Sequence, residues 1–246
     1  MTTQLKSIQV KETEGETSSW ASLYKIGEIS ALAVIAISLI QAPIFILFPQ
    51  PTTVIGHFAQ FQSNKLLGLV DLDLILILGE AATIPILFAL YAALKRVNPA
   101  ALTIALVFGL GGIGLFFATN PAFAMLYLSD QYAAAATDVQ RAAFLAAGEA
   151  LVANYNGTAF GLYFLLSGIA DLTVAVVMLR SGFFNKVTAY LGMLVGAMLL
   201  VPPLPTFGVF AIALSYIVIL PSLVWYALIA IRLLQLAQSR HQTPLR

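Results

Sequence analysis

The chain has 246 residues, 60% of them hydrophobic and 9% charged, with a formal net charge of +1 and no cysteine. A charged fraction so far below the soluble average of about 25%, with a mean hydropathy of +0.93, describes a polytopic membrane protein. No basic surface invites nucleic acid, and without cysteine there are no disulfides, thiolate nucleophiles or Cys-bound metals.

Residues 1–26 are polar, with Glu12, Glu14 and Glu16 among Lys6 and Lys11. A secretory signal would place a short apolar stretch close behind a basic segment, followed by small residues at a cleavage site. Here the first apolar run starts late, lasts about 20 residues and ends in Phe48-Pro49-Gln50-Pro51. A cytoplasmic tail leading into a retained helix is the expectation.

A bilayer core of about 30 Å needs about 20 apolar residues per helix. Six runs qualify, at 29–48, 66–94, 100–117, 160–179, 187–204 and 207–231. The second is long enough to tilt or protrude, and the fifth is cut short by Pro202, Pro203 and Pro205. The expected fold is therefore all-α, a polytopic membrane helix bundle of six transmembrane helices. Its domains read as a tail at 1–26, a membrane domain at 27–234 and a second cytoplasmic tail at 235–246.

The turns set the orientation. Lys6, Lys11, Lys25, Lys95, Arg96, Arg180, Lys186, Arg232, Arg240 and Arg246 fall on one side, and only Lys65 and Arg141 on the other. Ten against two predicts that side to be cytoplasmic, with both termini there, in a cell (inner) membrane.

The third connection, 118–158, is the one long link and is placed outside. Asn120-Pro121 suits a helix start, since proline in the first turn lacks only a hydrogen that had no partner. Thr137-Asp138-Val139-Gln140 has the form of a capping box opening a second helix. Together they predict a helical cap. Asn156-Gly157-Thr158 matches a glycosylation sequon, a three-residue signal of little weight. Gly157 with Gly161, Gly192 with Gly196, and Gly109, Gly111, Gly112 and Gly114 stand at spacings that let helices approach closely in lipid. Pro85 and Pro221 are expected to kink their helices.

Several chemistries lack their residues. The two histidines, His57 and His241, lie outside the apolar runs, so an intramembrane Ser–His protease, a zinc hydrolase and His-ligated haem are not expected. No apolar run holds a lysine for a retinal Schiff base, and no Gly-rich phosphate loop precedes a lysine. Neither a cofactor nor a metal site is assigned, and no catalytic residue is named.

The carboxylates carry the remaining signal. Asp71, Asp73, Glu80 and Asp171 fall in or at the edge of apolar runs. An ionised side chain at mid-bilayer costs at least about 2.5–3.5 kcal/mol and should face the bundle interior or a wet cavity. Asp73 and Glu80, seven apart, share a helix face about 10 Å apart along the axis, and Thr83 continues the stripe. Asp71 points elsewhere, hydrated or near Lys65. Counting back from Lys95 and Arg180 places Glu80 about 9 Å outward of Asp171. Asp73, Glu80 and Asp171 thus form a descending ladder rather than a dyad. As a function, the ladder is a proton or cation path. As structure, each acid pins its helix to hydroxyls such as Thr83, Ser167 or Ser215. An inverted three-plus-three repeat would pair the second helix with the fifth, which carries no acid.

Residues 90–106 (LYAALKRVNPAALTIAL) and 171–196 (DLTVAVVMLRSGFFNKVTAYLGMLVG) resemble a bacterial family of six-helix membrane proteins catalogued as a domain of unknown function. The likeness spans about 25–235. It is anchored by Leu94, Lys95 and Asn98 and by the Ser181-Gly182 turn, and departs where Asn185 replaces a frequent proline before Lys186. It implies a six-helix multipass fold and transfers no site residues. The leading functional reading is a non-enzymatic integral membrane protein with a structural, accessory or small-molecule-binding role, whose partner is the lipid bilayer. A proton- or cation-coupled transporter or channel stands second, and a lipid-modifying enzyme a distant third.

Overall fold

A computed structural model describes residues 2–201 and 217–241, with side chains at 20–201 and 217–238. Pro202, Pro203, Pro205 and Ser215, and the side chains of Lys6, Lys11, Arg240 and Arg246, lie outside the described residues. Every regular element among those described is a helix. They are α1 (Thr2–Leu47), α2 (Val54–Ser63), α3 (Lys65–Asp71), α4 (Leu74–Leu94) and α5 (Pro99–Thr119), then α6 (Ala122–Ala134), α7 (Asp138–Tyr155), α8 (Thr158–Ser181), α9 (Lys186–Leu199) and α10 (Ile219–His241).

Five stretches are long and apolar enough to cross a membrane: Trp20–Leu47, Leu74–Leu94, Pro99–Ala134, Asp138–Ser181 and Ile219–Gln238. The third joins α5 to α6 and the fourth α7 to α8. The fifth predicted run begins as α9, whose 14 residues rise about 21 Å, short of a bilayer core. The chain is thus a multi-pass helical membrane protein.

Six helices close a ring: α1 packs on α4, α4 on α5, α5 on α8, α8 on α9, α9 on α10, and α10 back on α1. Its core includes Tyr24, Ile86, Leu94, Leu102, Met178, Trp225, Ile229 and Leu233. Small residues allow the tightest approaches. A Cβ on Gly196 would stand 2.8 Å from the Leu172 nitrogen and 2.9 Å from the Gly168 oxygen, so α8 and α9 meet backbone to backbone. One on Gly192 would meet the Trp225 indole at 2.7 Å, and one on Gly112 the Ser167 Oγ at 2.8 Å. Gly157 serves the α7–α8 turn instead, where a Cβ would press on the Ala153 oxygen at 2.9 Å, and Gly114 has open space. Pro85 lies inside α4, whereas Pro221 falls in the first turn of α10.

A second apolar cluster joins α2, α3 and α6 through Val54, Phe58, Phe61, Leu72, Ala122 and Met125, with Leu145, Leu151 and Val152 of α7 packed against it. Thr137 and Gln140 form the expected capping box at the start of α7. Pro121 is the N-cap of α6 and not its first helical residue. Asn156 ends α7, its amide bonding back to the Val152 carbonyl.

The second apolar run is not one helix. It breaks between α3 and α4 at Asp73, whose φ of 65° and ψ of 19° are left-handed. Among the described residues Asp73 is the one non-glycine with positive φ. Apolar periodicity hides such a break because Leu72 and Leu74 continue the run on both sides.

Candidate functional site

A break in the helix frees backbone carbonyls, which when buried must find partners inside the protein. Three side-chain amides supply them. Gln41 donates to the Val70 carbonyl at 3.2 Å, Gln50 to that of Asp71 and Asn120 to that of Leu72 at 2.7 Å. The Asp73 carboxylate accepts from the Tyr155 hydroxyl at the end of α7. Asp71 is 0% exposed, and the Gln60 side chain is the hydrogen-bonding group beside its carboxylate. The expectation of a hydrated Asp71 near Lys65 is therefore corrected: Lys65 instead pairs with Asp130 at 2.8 Å. The run breaks just after Asp71, which ends α3 with its side chain buried in the protein. His57 on α2 is also buried, and burial pulls its imidazole below the ordinary 6.5.

Deeper in the ring, a cavity of about 60 Å³ is lined by Glu80, Thr83, Tyr163, Ser167, Asp171 and Tyr226, among others. Liquid water occupies about 30 Å³ per molecule, so the space is on the scale of one or two waters or a small cation. Tyr163 donates to Glu80 Oε1 at 2.6 Å. The Thr83 hydroxyl bonds back to the Gly79 carbonyl at 3.1 Å, and the Tyr226 hydroxyl reaches Thr83 from α10. Asp171 has electrostatic neighbours in Glu80, Tyr163 and Tyr226, but no hydrogen bond among the described residues.

Of the three predicted acids, Glu80 and Asp171 line one cavity, while Asp73 stands at the break. Thr83 and Ser167 do line the cavity, as the face pattern suggests, but neither is hydrogen-bonded to an acid. Phenols take that role. Tyr155 and Tyr163, eight apart, meet Asp73 and Glu80, seven apart. Phe160 stands between the two levels, its ring 5.4 Å from that of Tyr155 and 6.1 Å from that of Tyr163. Tyr163 opens the 160–179 run and Tyr226 lies in the last two turns of the 207–231 run, near the ends where tyrosine belts normally lie, so their placement in the sequence does not single them out.

The bundle's two ends are also distinguishable. Lys95 stands over the Trp20 ring at 3.9 Å, and Asn98 and Arg180 line one surface groove. The tail, the 95–98 turn and the end of α8 therefore meet at one end.

The family described as Domain of unknown function (DUF4386) matches residues 28–236. No curated protein and no solved structure matches the chain. The chain belongs to that family.

Proposed function

We propose that this DUF4386 chain is a non-enzymatic, six-helix integral membrane protein that binds and relays a proton at Glu80 and Asp171. The observation that carries this reading is that two carboxylates from different helices, α4 and α8, line one small cavity while Asp171 has no hydrogen-bond partner among the described residues. Like charges facing each other in a dry wall repel, so a shared proton is the favourable occupant. The Tyr163 hydroxyl then orients Glu80, leaving Asp171 free to exchange. No intramembrane lysine or arginine stands among the cavity-lining residues to neutralise the pair.

The proposed sixth span is α9 continued into the following residues. The α2, α3, α6 and α7 layer is the outer cap, carrying Lys65 and Arg141. The end marked by Trp20, Lys95 and Arg180 is cytoplasmic, in accord with the basic side of the chain.

The test is proton flux in proteoliposomes carrying a trapped pH dye. The parent chain should dissipate an imposed gradient, and Glu80→Gln with Asp171→Asn should abolish that flux while the protein still elutes as a folded species. Absence of flux in the parent, or unchanged flux in the double variant, defeats the proposal. It would favour a second reading, supported by the Tyr163–Glu80 bond, in which Glu80 anchors α4 to α8.

A further inference from the structure

We propose that the groove between α5 and α8, at the Arg180 end of the bundle, binds one anionic phospholipid, with its phosphate on Arg180 and an acyl chain along α8. The groove holds about 320 Å³, a volume within the range of small-ligand pockets, which begins near 300 Å³. Ala101 of α5 and Leu172, Val176 and Val177 of α8 supply apolar walls, and Asn98 and Arg180 supply its polar groups together with Thr173.

The packing of the two helices places the polar groups at one end. A Cβ on Gly112 would meet Ser167, and one on Gly109 would meet Ala170. The helices therefore run antiparallel, and the same register sets Asn98, the N-cap of α5, level with the last turn of α8, where Arg180 stands. From Arg180 to Leu172 the groove follows α8 for about 12 Å, at 1.5 Å per residue.

The hydrogen-bonding capacity left over at that end is donor capacity. The Thr173 hydroxyl donates to the Ile169 carbonyl at 2.7 Å, and Asn98 Oδ1 accepts the Ala101 amide at 3.1 Å, which leaves the Asn98 side-chain amide to donate. Among the described residues the ion pairs are Lys65 with Asp130 and Arg141 with Asp138, so the Arg180 guanidinium holds no carboxylate, and none lines the groove. A guanidinium matches a phosphate with two parallel hydrogen bonds, and basic pockets between membrane helices suit anionic lipid headgroups. A soluble phosphate would leave the apolar walls unused, and a lipid with no net charge would leave the guanidinium uncompensated. An anionic head joined to an acyl chain satisfies both.

The test uses the purified full-length chain in a non-ionic detergent at fixed ionic strength, titrated with phosphatidylglycerol or with phosphatidylcholine of the same acyl chains. Bound lipid is counted by native mass spectrometry. One phosphatidylglycerol should bind saturably and more tightly than phosphatidylcholine, and excess glycerol 3-phosphate should not displace it. Arg180→Gln should weaken phosphatidylglycerol binding by about tenfold or more, the loss expected for a hydrogen bond to a charged group. Ala101→Phe should close the groove and remove the saturable site while Arg180 is kept. Should that variant fail to fold, Val176→Phe fills the groove from the α8 side. Lys25→Gln removes an exposed cation from α1, which packs on α4 and α10, and should leave the affinity unchanged. Equal binding of the two lipids overturns the proposal, as does a site that survives Arg180→Gln or a filled groove. An equal loss from Lys25→Gln identifies diffuse surface attraction, and displacement by glycerol 3-phosphate identifies a soluble-phosphate site. Either result overturns it too.

Discussion

Replacing Asp73 separates two contributions that coincide at one residue. Its left-handed backbone costs an ordinary L-residue about 1–2 kcal/mol, which glycine escapes and asparagine largely tolerates. Its carboxylate accepts the buried Tyr155 hydroxyl, and an orphaned buried donor costs about 1–3 kcal/mol. Asp73→Ala incurs both, about 2–5 kcal/mol together. Asp73→Gly loses only the hydrogen bond, about 1–3 kcal/mol, partly offset by a relaxed backbone. Asp73→Asn keeps an acceptor and tolerates the conformation, so it should lie within about 1 kcal/mol of the parent. With each kcal/mol worth about 2–4 °C in a chain of this size, the alanine variant should melt at least about 2 °C below the asparagine one. Tryptophan fluorescence from Trp20 and Trp225 during heating reads this out. An alanine variant as stable as asparagine, or a glycine variant below alanine, would refute the account of the break.

The glycines give a graded series. Gly196→Ala must push backbone against backbone at 2.8–2.9 Å and should cost about 1–3 kcal/mol, whereas Gly114→Ala, with open space, should be neutral or gain up to about 1 kcal/mol. Equal melting temperatures for the two would contradict the α8–α9 contact. Thr137→Ala removes the α7 capping box and should cost about 0.5–2 kcal/mol, read as faster amide exchange in the first turn of α7. His57 provides a pH dependence. Its folded value is depressed below 6.5, so the unfolded chain takes up the proton first, and stability present above pH 6.5 should decline as pH falls below it. His57→Leu should flatten that acid limb between pH 7.5 and 5, and an unchanged slope would show that other groups cause it.

What the sequence made legible was whatever rests on composition over a whole helix. Apolar runs of bilayer length, the Thr137–Gln140 box and the small residues at Gly192 and Gly196 each carry their cause locally. The break at Asp73 does not. A left-handed residue costs only one or two kcal/mol, and Leu72 and Leu74 make the run look continuous. The partners that repair it, Gln41, Gln50 and Asn120, come from α1, the α1–α2 link and the end of α5. No spacing rule links residues 29, 21 and 48 positions apart. The same holds for the cavity. Glu80 and Asp171 were identifiable singly, because an acid in an apolar run is costly wherever it points. That they share one cavity depends on how α4 and α8 cross, which residue counting cannot supply.

The pairing pattern bears on whether these acids are structural. Were each present only to pin its helix, each would be expected to hold a partner, since an unpaired buried carboxylate is among the costliest groups a membrane protein can carry. Three acids do hold one: Asp73 has Tyr155, Glu80 has Tyr163 and Asp71 has the Gln60 side chain. Asp171 has none among the described residues and lines the same cavity as the paired Glu80. At that cavity, then, one carboxylate is positioned by a phenol and the other is left with spare acceptor capacity. A fixed acid beside a free one is costly as a girder. It is the arrangement in which a proton or a small cation supplies the missing partner, and in which removing the free acid should affect occupancy more than folding.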